Sequence, residues 1–242
     1  MINDYVAFDL ETTGFNPVVN KIIEIGAVKV KDGQIIDKFS ELINPEIIIP
    51  EVITQVTGID NDMVQGKRRV EDVVRDFVDF CDCDVILGHN LPFDYSFISA
   101  NVYNLGISFK KAGIDTLKIA RKHLSSLESR KLDFLCAYYG IEDKEHHRAY
   151  NDAYVTVMLY KKLSECFENE NDSVFVPEPM TQDEKKINRK LSPITLKQKA
   201  YLTSLISRHN IVPEKNIDEL TKSEASRMID HILSTYGRRD FF

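Results

Sequence analysis

Two acidic residues near the start of the chain could bind a metal ion. Asp9 and Glu11 are separated by one residue at the end of an apolar run, and Gly14 follows them. Side chains two residues apart on a strand point to the same face, so both carboxylates can bind one hard cation. A polar alternation at a strand end is the simpler explanation. However, the turn after a buried strand is where open α/β sheets place their functional sites.

Asp94 and Asp152 add carboxylates from two predicted helices. Asp94 lies two residues after Pro92, in the expected first turn of a helix, where an acid also complements the helix dipole. Asp152 lies near the start of a later helix. Because five helical residues rotate by about 500°, we place His147 in the loop before that helix, reaching back over the site. We expect His146 to be a surface loop residue.

Four converging carboxylates indicate divalent cations, because without them the acids would repel one another and raise one another's pKa. Oxygen-only ligands favour Mg²⁺ or Mn²⁺. Two such ions about 3.5–4 Å apart would stabilise the attacking and leaving oxygens of phosphodiester cleavage. A neighbouring histidine, with an ordinary pKa of about 6.5, can accept the proton of the attacking water.

Periodic apolar residues predict a mixed α/β domain around these acids. We expect strands over residues 5–10, 22–30, 34–43 and 85–87. We expect helices over residues 70–81, 93–105, 117–124, 132–139 and 149–167. Three strands come first and the fourth lies between helices, which is typical of a sheet flanked by helices.

The remainder of the chain has a different composition. Residues 168–193 are rich in Asn, Glu, Asp and Lys and include three prolines, which is typical of a linker. Capping boxes at Thr195 and Thr221 open two helical segments, the second ending at Gly237. We therefore assign residues 1–167 to the α/β domain, 168–193 to a linker and 194–242 to a small helical module of unknown role.

Charge is distributed unevenly along the chain. The 242 residues include 31 Lys and Arg and 38 Asp and Glu, and this net charge of −7 argues against a nucleic-acid binder with a basic footprint. Residues 1–172 have a net charge of −10, from 19 basic and 29 acidic residues, whereas residues 173–242 have +3, from 12 and 9. Since the candidate metal ligands contribute to the acidity, a nucleic acid bound through cations is still compatible with it.

Neither export nor a disulfide framework is indicated. No apolar run approaches the ~18 residues of a membrane span, and the N-terminal residues lack signal-peptide features, so we expect a soluble cytoplasmic protein. Cys81, Cys83, Cys136 and Cys166 lie in apolar or helical segments, and we expect buried, reduced thiols. The spacing of Cys81 and Cys83 does not match a zinc site.

Three stretches resemble the exonuclease motifs of the DEDDh superfamily: Phe8-Asp9-Leu10-Glu11-Thr12-Thr13-Gly14, His89-Asn90-Leu91-Pro92-Phe93-Asp94 and His147-Arg148-Ala149-Tyr150-Asn151-Asp152. They are similar to those of the proofreading epsilon subunit of bacterial DNA polymerase III and of the exonuclease domain of the Gram-positive replicative polymerase. The resemblance covers about residues 1–167 and includes Thr57-Gly58-Ile59, where the family has a turn lining the substrate cleft. It implies a ribonuclease H-like fold, with a five-stranded mixed sheet flanked by helices and its fifth strand just before Asp115.

The resemblance also implies roles for individual residues. Asp9, Glu11 and Asp152 would hold the ion that carries the attacking water, and Asp9 would bridge to a second ion approached by Asp94. His147 would be the general base of the histidine subclass, since the tyrosine subclass would have a tyrosine where this chain has Arg148. Thr12, Thr13 and Asn90 would contact the terminal nucleotide.

We therefore expect a metal-dependent 3′-to-5′ exonuclease that releases nucleoside monophosphates from DNA 3′ ends, in proofreading or repair. An exoribonuclease acting on RNA would use the same five residues, and a catalytically inactive scaffold would retain only the fold. The expected partner is a single-stranded or frayed DNA end, with a replicative polymerase or a sliding clamp as further candidates and no membrane.

The helical module could also contribute to binding. Its basic residues could contact phosphates or simply form a solvated face; they are Lys197, Lys199, Arg208, Lys222 and Arg227. The C-terminal segment Arg238-Arg239-Asp240-Phe241-Phe242 could dock on a partner, although a frayed terminus is the simpler expectation.

Overall fold

The computed structural model describes residues 2–142, 148–168, 172–181, 193–211, 213 and 216–236. The chain divides into two compact units, Met1–Gln182 and Asp183–Phe242. Each unit has a hydrophobic core of its own.

The first unit is built on a mixed six-stranded sheet. Its strands are β1 (Tyr5–Thr12), β2 (Ile22–Lys31), β3 (Gln34–Leu42), β4 (Val85–Gly88), β5 (Ala112–Asp115) and β6 (Glu178–Pro179). Their order across the sheet is β3-β2-β1-β4-β5-β6. The strands β1, β4 and β5 are parallel and the other pairings are antiparallel. The mixed α/β architecture and the strand before Asp115 are confirmed, whereas β6 corrects the expectation of five strands.

Seven α-helices lie in the described part of this unit. They are α1 (Glu51–Thr57), α2 (Asn61–Val64), α3 (Val70–Phe80), α4 (Leu91–Asn104), α5 (Thr116–His123), α6 (Leu132–Tyr139) and α7 (Ala149–Phe167). The helices α3 to α7 begin and end within two residues of their predicted bounds. The sequence did not predict α1 and α2, because both are shorter than eight residues and the apolar residues Val52 and Val56 of α1 are exposed.

Side-chain alternation along β1 directs its residues into two layers. Phe8 and its even-numbered neighbours pack in the cluster formed with α3 and α4. Tyr5 lies on the opposite face, where its ring meets Tyr160 of α7 edge-on with centroids 5.6 Å apart. The odd-numbered positions of β1 therefore face α7, and the last two of them are Asp9 and Glu11.

The predicted linker over residues 168–193 is wrong in its middle part. A 3-10 helix (Ser173–Phe175) places Phe175 in the core beneath α5 and α7, and β6 pairs with β5. Asp172 accepts a hydrogen bond from Lys122 Nζ at 2.7 Å and lies 2.5 Å from His123 Nε2. These contacts could not be predicted from the sequence, because a two-residue strand among prolines and charged residues shows no alternation of apolar and polar residues. The first unit therefore extends past residue 167.

The second unit contains two α-helices in its described residues, α8 (Leu196–His209) and α9 (Lys222–Tyr236). Both predicted capping boxes are formed, since Thr195 Oγ1 accepts from Gln198 N at 3.1 Å and Thr221 Oγ1 accepts from Glu224 N at 3.2 Å. The core between the helices consists of Leu202, Leu205, Leu220, Ala225, Ile229 and Ile232. The predicted stop at Gly237 and the segment 238–242 lie outside the described residues.

Two other expectations concern the membrane and the thiols. No helix in the described ranges is long and apolar enough to cross a bilayer. None of the four cysteines, all of which lie in the described ranges, forms a disulfide; Cys81 and Cys136 are buried, Cys83 is half-buried and Cys166 is exposed. Cys166 therefore departs from the expectation of burial, because it lies on the solvent-facing side of α7 near its end.

Candidate active site

Three carboxylates meet at the end of β1. Asp9 and Glu11 leave the same face of the strand, and Asp152 reaches them from the first turn of α7. One ligand oxygen from each residue lies within 4.8 Å of those of the other two. All three residues are half-buried. The structure thus brings three of the four candidate acids into one cluster, which we call the carboxylate cluster.

Asp94 lies beside the carboxylate cluster on a third element. It is in the first turn of α4 and only 3% exposed. Its Oδ1 accepts a hydrogen bond at 3.2 Å from the backbone N–H of Leu10, the residue between Asp9 and Glu11. An acid that only complements a helix dipole can remain in solvent. Asp94 instead points inward to the strand that carries the other acids.

A glycine allows α7 to approach the sheet closely. Gly26 of β2 is the register partner of Asp9. A Cβ built on Gly26 would lie 1.9 Å from the backbone nitrogen of Tyr150 and 2.4 Å from the carbonyl oxygen of Ala149. Since only hydrogen fits there, the first turn of α7 packs directly against β2 and carries Asp152 toward Asp9.

Glu24 fixes the start of α7 from the neighbouring strand. It is 1% exposed and lies opposite Glu11 in the β1–β2 register. The Arg148 guanidinium donates to both carboxylate oxygens, with Nη2 2.7 Å from Oε1 and Nε 3.2 Å from Oε2. The backbone N–H of Ala149 donates to Oε2 at 3.0 Å. Sequence reasoning missed this pair, although an acid inside the apolar run Ile22-Ile23-Glu24-Ile25 signals a paired buried charge.

Burial and mutual repulsion make the acids difficult to ionise together. Burial, followed by the charges of Asp94 and Asp152, raises the pKa of Asp9 well above its ordinary value. Burial also raises the pKa of Glu11 to about 8, and the charge of Asp152 adds to this. Burial raises the pKa of Asp94 as well, although backbone hydrogen bonds partly oppose the shift.

The donor set of the carboxylate cluster fits a divalent cation. Every candidate ligand atom is a carboxylate oxygen, which Mg²⁺ and Mn²⁺ prefer. Positive charge between the carboxylates would remove the repulsion that raises their pKa. Asp9, Glu11 and Asp152 could hold such an ion, with Asp94 available on the adjoining side.

The expected general base lies outside the described residues, because His146 and His147 belong to the segment 143–147. The residue after His147 is Arg148, which Glu24 binds through two hydrogen bonds. Arg148 is therefore held against β2, on the residue that pairs with Glu11.

The residues expected to contact the terminal nucleotide occupy two kinds of position. Thr12 and Thr13 are 8% and 3% exposed. Thr12 Oγ1 donates to a backbone carbonyl at 2.7 Å, and Thr13 Oγ1 accepts from a backbone N–H at 2.9 Å, so both hydroxyls stabilise the turn after β1. Asn90 is exposed in a left-handed conformation with φ 69°, and its backbone N–H donates to Asp115 Oδ1 at 2.8 Å.

Thr57-Gly58-Ile59 forms a turn, and this turn ends α1. Gly58 has φ 69°, and its N–H donates to Thr54 O at 2.8 Å. Thr54 Oγ1 donates to the carbonyl of Ile59, whose side chain is fully buried. Ile59 therefore anchors the turn in the core, and Gly58 is its exposed residue.

Phe15 is an exposed aromatic residue that sequence reasoning did not single out. It is 88% exposed, and its ring packs edge-on against Phe93 with centroids 6.3 Å apart. Phe15 directly follows the Asp9–Gly14 motif and Phe93 directly precedes Asp94. The aromatic pair therefore lies on the segments that carry the candidate acids. A large apolar residue directly after a turn glycine was the available signal.

Comparisons with known sequences identify related proteins. The family model RNase_T, described as exonuclease, matches residues 6–160. The PolC-type DNA polymerase III of Clostridium perfringens is 36% identical over 219 residues, covering 90% of this chain and 15% of that protein. That of Bacillus subtilis is 40% identical over 162 residues, covering 66% and 11%. The chain thus spans only a small part of these relatives. The Clostridium match covers more than the first unit and so extends into the second.

Solved structures with the same fold include several nucleases. Exonuclease X in complex with 5′-overhanging duplex DNA has a TM-score of 0.55 and 25% identity, covering 67% of this chain and 92% of that chain. The nuclease domain of 3′hExo, a DEDDh family member bound to rAMP, has a TM-score of 0.58 and 19% identity, covering 68% and 92%. The second likeness shows the fold alone. The predicted ribonuclease H-like exonuclease fold is confirmed.

Proposed function

We propose that this chain, a 3′-to-5′ exonuclease that belongs to the RNase_T family of exonucleases, hydrolyses the terminal phosphodiester bond at DNA 3′ ends and releases nucleoside monophosphates. We propose two divalent cations, Mg²⁺ or Mn²⁺, as its cofactors. The observation that carries the proposal is the carboxylate cluster of Asp9, Glu11 and Asp152, with Asp94 buried beside it.

DNA is the proposed substrate because the names of proteins with similar sequences refer to DNA. Relatives at 36% and 40% identity are named as DNA polymerases, and exonuclease X, at 25%, was captured with duplex DNA. RNA is the alternative, since a 3′-exonuclease that recognises a histone mRNA stem-loop shares the fold, with a TM-score of 0.56. Discrimination would rest on contacts to the 2′-hydroxyl.

In this proposal the four acids hold the cations, and His147 accepts the proton of the attacking water. The cations, when bound, neutralise charge on the phosphate and lower the pKa of water. Glu24 and Arg148 position the start of α7, and with it Asp152 and the residue that follows His147.

The neighbouring residues bind the terminal nucleotide. The exposed ring of Phe15 offers a stacking surface for a base. Thr12 and Thr13 shape the turn along which that nucleotide lies, and Asn90 contacts it from the end of β4.

The likeness to PolC-type polymerases supports a proofreading or repair role beside a replicative polymerase or sliding clamp. The second unit is the proposed site of such contacts. Its residues Lys197 and Arg227 are exposed, whereas Lys199 is paired with Asp218.

A cleavage assay tests the proposal. Oligonucleotides labelled at the 5′ end, single-stranded or 3′-recessed and made of DNA or RNA, are incubated with Mg²⁺, with Mn²⁺ or with EDTA. We expect stepwise shortening of DNA from the 3′ end with either metal and none in EDTA. Preferential shortening of RNA would assign the alternative substrate. If neither polymer shortens with metal present, the chain is an inactive scaffold.

The site assignment has its own variant and control. Asp9→Ala should abolish cleavage by removing a ligand of the carboxylate cluster, while circular dichroism shows an intact fold. Asp79→Ala removes an exposed aspartate of α3 and should cleave like the wild type. Wild-type cleavage by Asp9→Ala would exclude the proposed site.

A further inference from the structure

An open cavity with basic walls lies next to the candidate active site. Its volume is about 510 Å³. Asn90 borders it at the end of β4, Arg121 lies in the last turn of α5, and Arg130 and Lys131 lie just before α6. Glu128 is the acidic residue among those that line it. The described lining therefore carries three basic side chains and one acidic side chain.

The cavity shares one edge of the sheet with the carboxylate cluster. Ala7 of β1 pairs with Leu87 of β4, and Gly88 pairs with Asp115 of β5, so these parallel strands end side by side. Strands lie ~4.8 Å apart, which places the end of β5 on the order of 10 Å from that of β1. About three nucleotides of one DNA strand, at ~3.4 Å each, span that distance.

A half-buried histidine, His89, holds the loop that carries the basic residues. His89 Nε2 lies 2.9 Å from the carbonyl oxygen of Arg130, and Nδ1 lies 2.9 Å from Thr116 Oγ1. Because a carbonyl oxygen can only accept, Nε2 donates this hydrogen bond, and burial lowers the pKa of His89. The loop is thereby attached to the end of β4, and the cavity wall is fixed relative to Asn90.

The lining favours an anion. No aromatic side chain other than the imidazole of His89 belongs to the described lining, which is mostly polar and charged. The start of α6 has no side-chain cap, and Lys131 and Leu132 at that start both line the cavity. The positive end of the helix dipole, which the first-turn acid Asp133 partly offsets, lies beside the arginines and the lysine.

We propose that this cavity is a phosphate subsite, in which Arg121, Arg130 and Lys131 bind a backbone phosphodiester of the nucleic acid two or three nucleotides from the scissile bond. This inference rests on the proposed function. Residues 1–172 have a net charge of −10 and would repel a nucleic acid. The basic residues of the cavity, one strand beyond Asn90, would attract the phosphate backbone next to the candidate active site. Phosphate contacts position a strand without reading its sequence.

Two matched double variants test the subsite. Arg121→Ala/Lys131→Ala removes two charges from the cavity, and Lys67→Ala/Arg75→Ala removes two exposed charges that do not line it. Binding of fluorescent oligodeoxynucleotides with a non-cleavable 3′ phosphorothioate is followed by anisotropy in Mg²⁺ at several salt concentrations. We expect the cavity variant to bind about tenfold more weakly, with a salt slope reduced by about 0.7 for each lost contact on a single strand. The control should stay within twofold of the wild type.

Comparing substrates identifies the source of the phosphate. Weaker binding of both single-stranded and 3′-recessed DNA assigns the subsite to the cleaved strand, and weaker binding of the duplex alone assigns it to the complementary strand. Arg121→Lys/Lys131→Arg keeps the charges and should retain affinity. Equal affinities and salt slopes for the two alanine double variants would overturn the proposal.

The same measurements separate the subsite from the proposed function. A wild-type protein that cleaves no nucleic acid, yet binds it more tightly than the cavity variant, would refute the function and retain the subsite. Cleavage by the wild type, with equal binding by the wild type and the cavity variant, would support the function and refute the subsite.

Discussion

Glu24 on β2 and Arg148 before α7 form a bidentate ion pair between residues 124 positions apart in the sequence. The same carboxylate accepts the backbone N–H of Ala149 at 3.0 Å. Because Glu24 lies opposite Glu11 in the register, the pair connects the strand bearing two candidate ligands with the helix bearing a third. It also fixes the residue that follows His147. The geometry of the cluster thus depends on a charge pair that is outside the candidate ligand set.

Arg148→Ala should lower both stability and activity. The Glu24 carboxylate is 1% exposed, and losing the guanidinium leaves its charge poorly compensated, at a cost of about 2–4 kcal/mol in the free energy of unfolding. We expect kcat to fall by more than about tenfold because the start of α7 shifts. Urea unfolding in EDTA and single-turnover cleavage measure the two effects.

Arg148→Lys is the informative control for this prediction. It keeps the positive charge that partly opposes the burial-raised pKa of Glu11 but loses the planar guanidinium that binds both oxygens of Glu24. Activity intermediate between wild type and Arg148→Ala would support a positioning role. Wild-type kcat in Arg148→Ala would rule that role out.

Gly26→Ala should displace α7 from the sheet. The added methyl would lie 1.9 Å from the backbone nitrogen of Tyr150, and backbone cannot rotate away as a side chain can. We expect a loss of about 1–3 kcal/mol in stability, together with weaker Mn²⁺ binding by titration calorimetry. Gly106→Ala, at φ 66° with open space around it, tests backbone strain alone and should leave Mn²⁺ affinity intact. Unchanged Mn²⁺ affinity in Gly26→Ala would contradict the packing argument.

The metal-free protein should lose stability as pH rises. The pKa of Glu11 is about 8 in the folded state against an ordinary value of 4.5, and those of Asp9 and Asp94 are raised too. A raised folded-state pKa stabilises the fold fully below the unfolded value, and that contribution is lost as pH rises through the folded value. In EDTA, the free energy of unfolding should therefore fall between about pH 4.5 and 8.

Cations should reverse this trend because they bind the ionised carboxylates. We expect Mg²⁺ or Mn²⁺ to raise the urea midpoint more at pH 8 than at pH 6. Asp9→Asn/Glu11→Gln should flatten the pH dependence in EDTA and abolish the metal effect. The prediction fails if stability in EDTA is constant across this range.

Phe15→Ala should weaken substrate binding without unfolding the protein. The ring is 88% exposed, so its loss should change stability by less than about 0.5 kcal/mol. A stacked base contributes about 1–3 kcal/mol, so KM for an oligonucleotide should rise at least about fivefold. Phe15→Tyr should retain a low KM, as should Val176→Ala, which trims another exposed apolar side chain. Equal KM values for Phe15→Ala and the wild type would exclude a stacking role.

The sequence predicted those elements whose burial imposes a long, regular period. The bounds of α7 were predicted as 149–167, as observed, because nineteen residues place several apolar side chains on one face. The two-residue strand β6 has no period to detect. The orientation of Asp94 was open, because a first-turn acid can point outward to solvent or inward to a strand. The N–H of Leu10, which lies on a separate element, decides between them.

Contacts between different strands and helices could not be predicted from the periodicity of apolar residues. Glu24 and Arg148 each have a local explanation, as an acid in a strand and a cation before a helix. Their pairing depends on which residue of β2 lies beneath the start of α7, and Gly26 fixes that contact through the close approach of two backbones. Only the folded arrangement specifies it.

The short strand β6 has a practical consequence for anyone who isolates the nuclease unit. It covers the outer edge of β5, where Ala112 and Gly113 pair with it, and the N–H of Met180 donates to Lys111 O at 2.8 Å. A fragment cut after Phe167 would leave this edge bare, and bare edges recruit strands from other molecules and promote aggregation. A fragment that ends after Met180 would retain β6 over the edge of β5 and should express as a monodisperse protein.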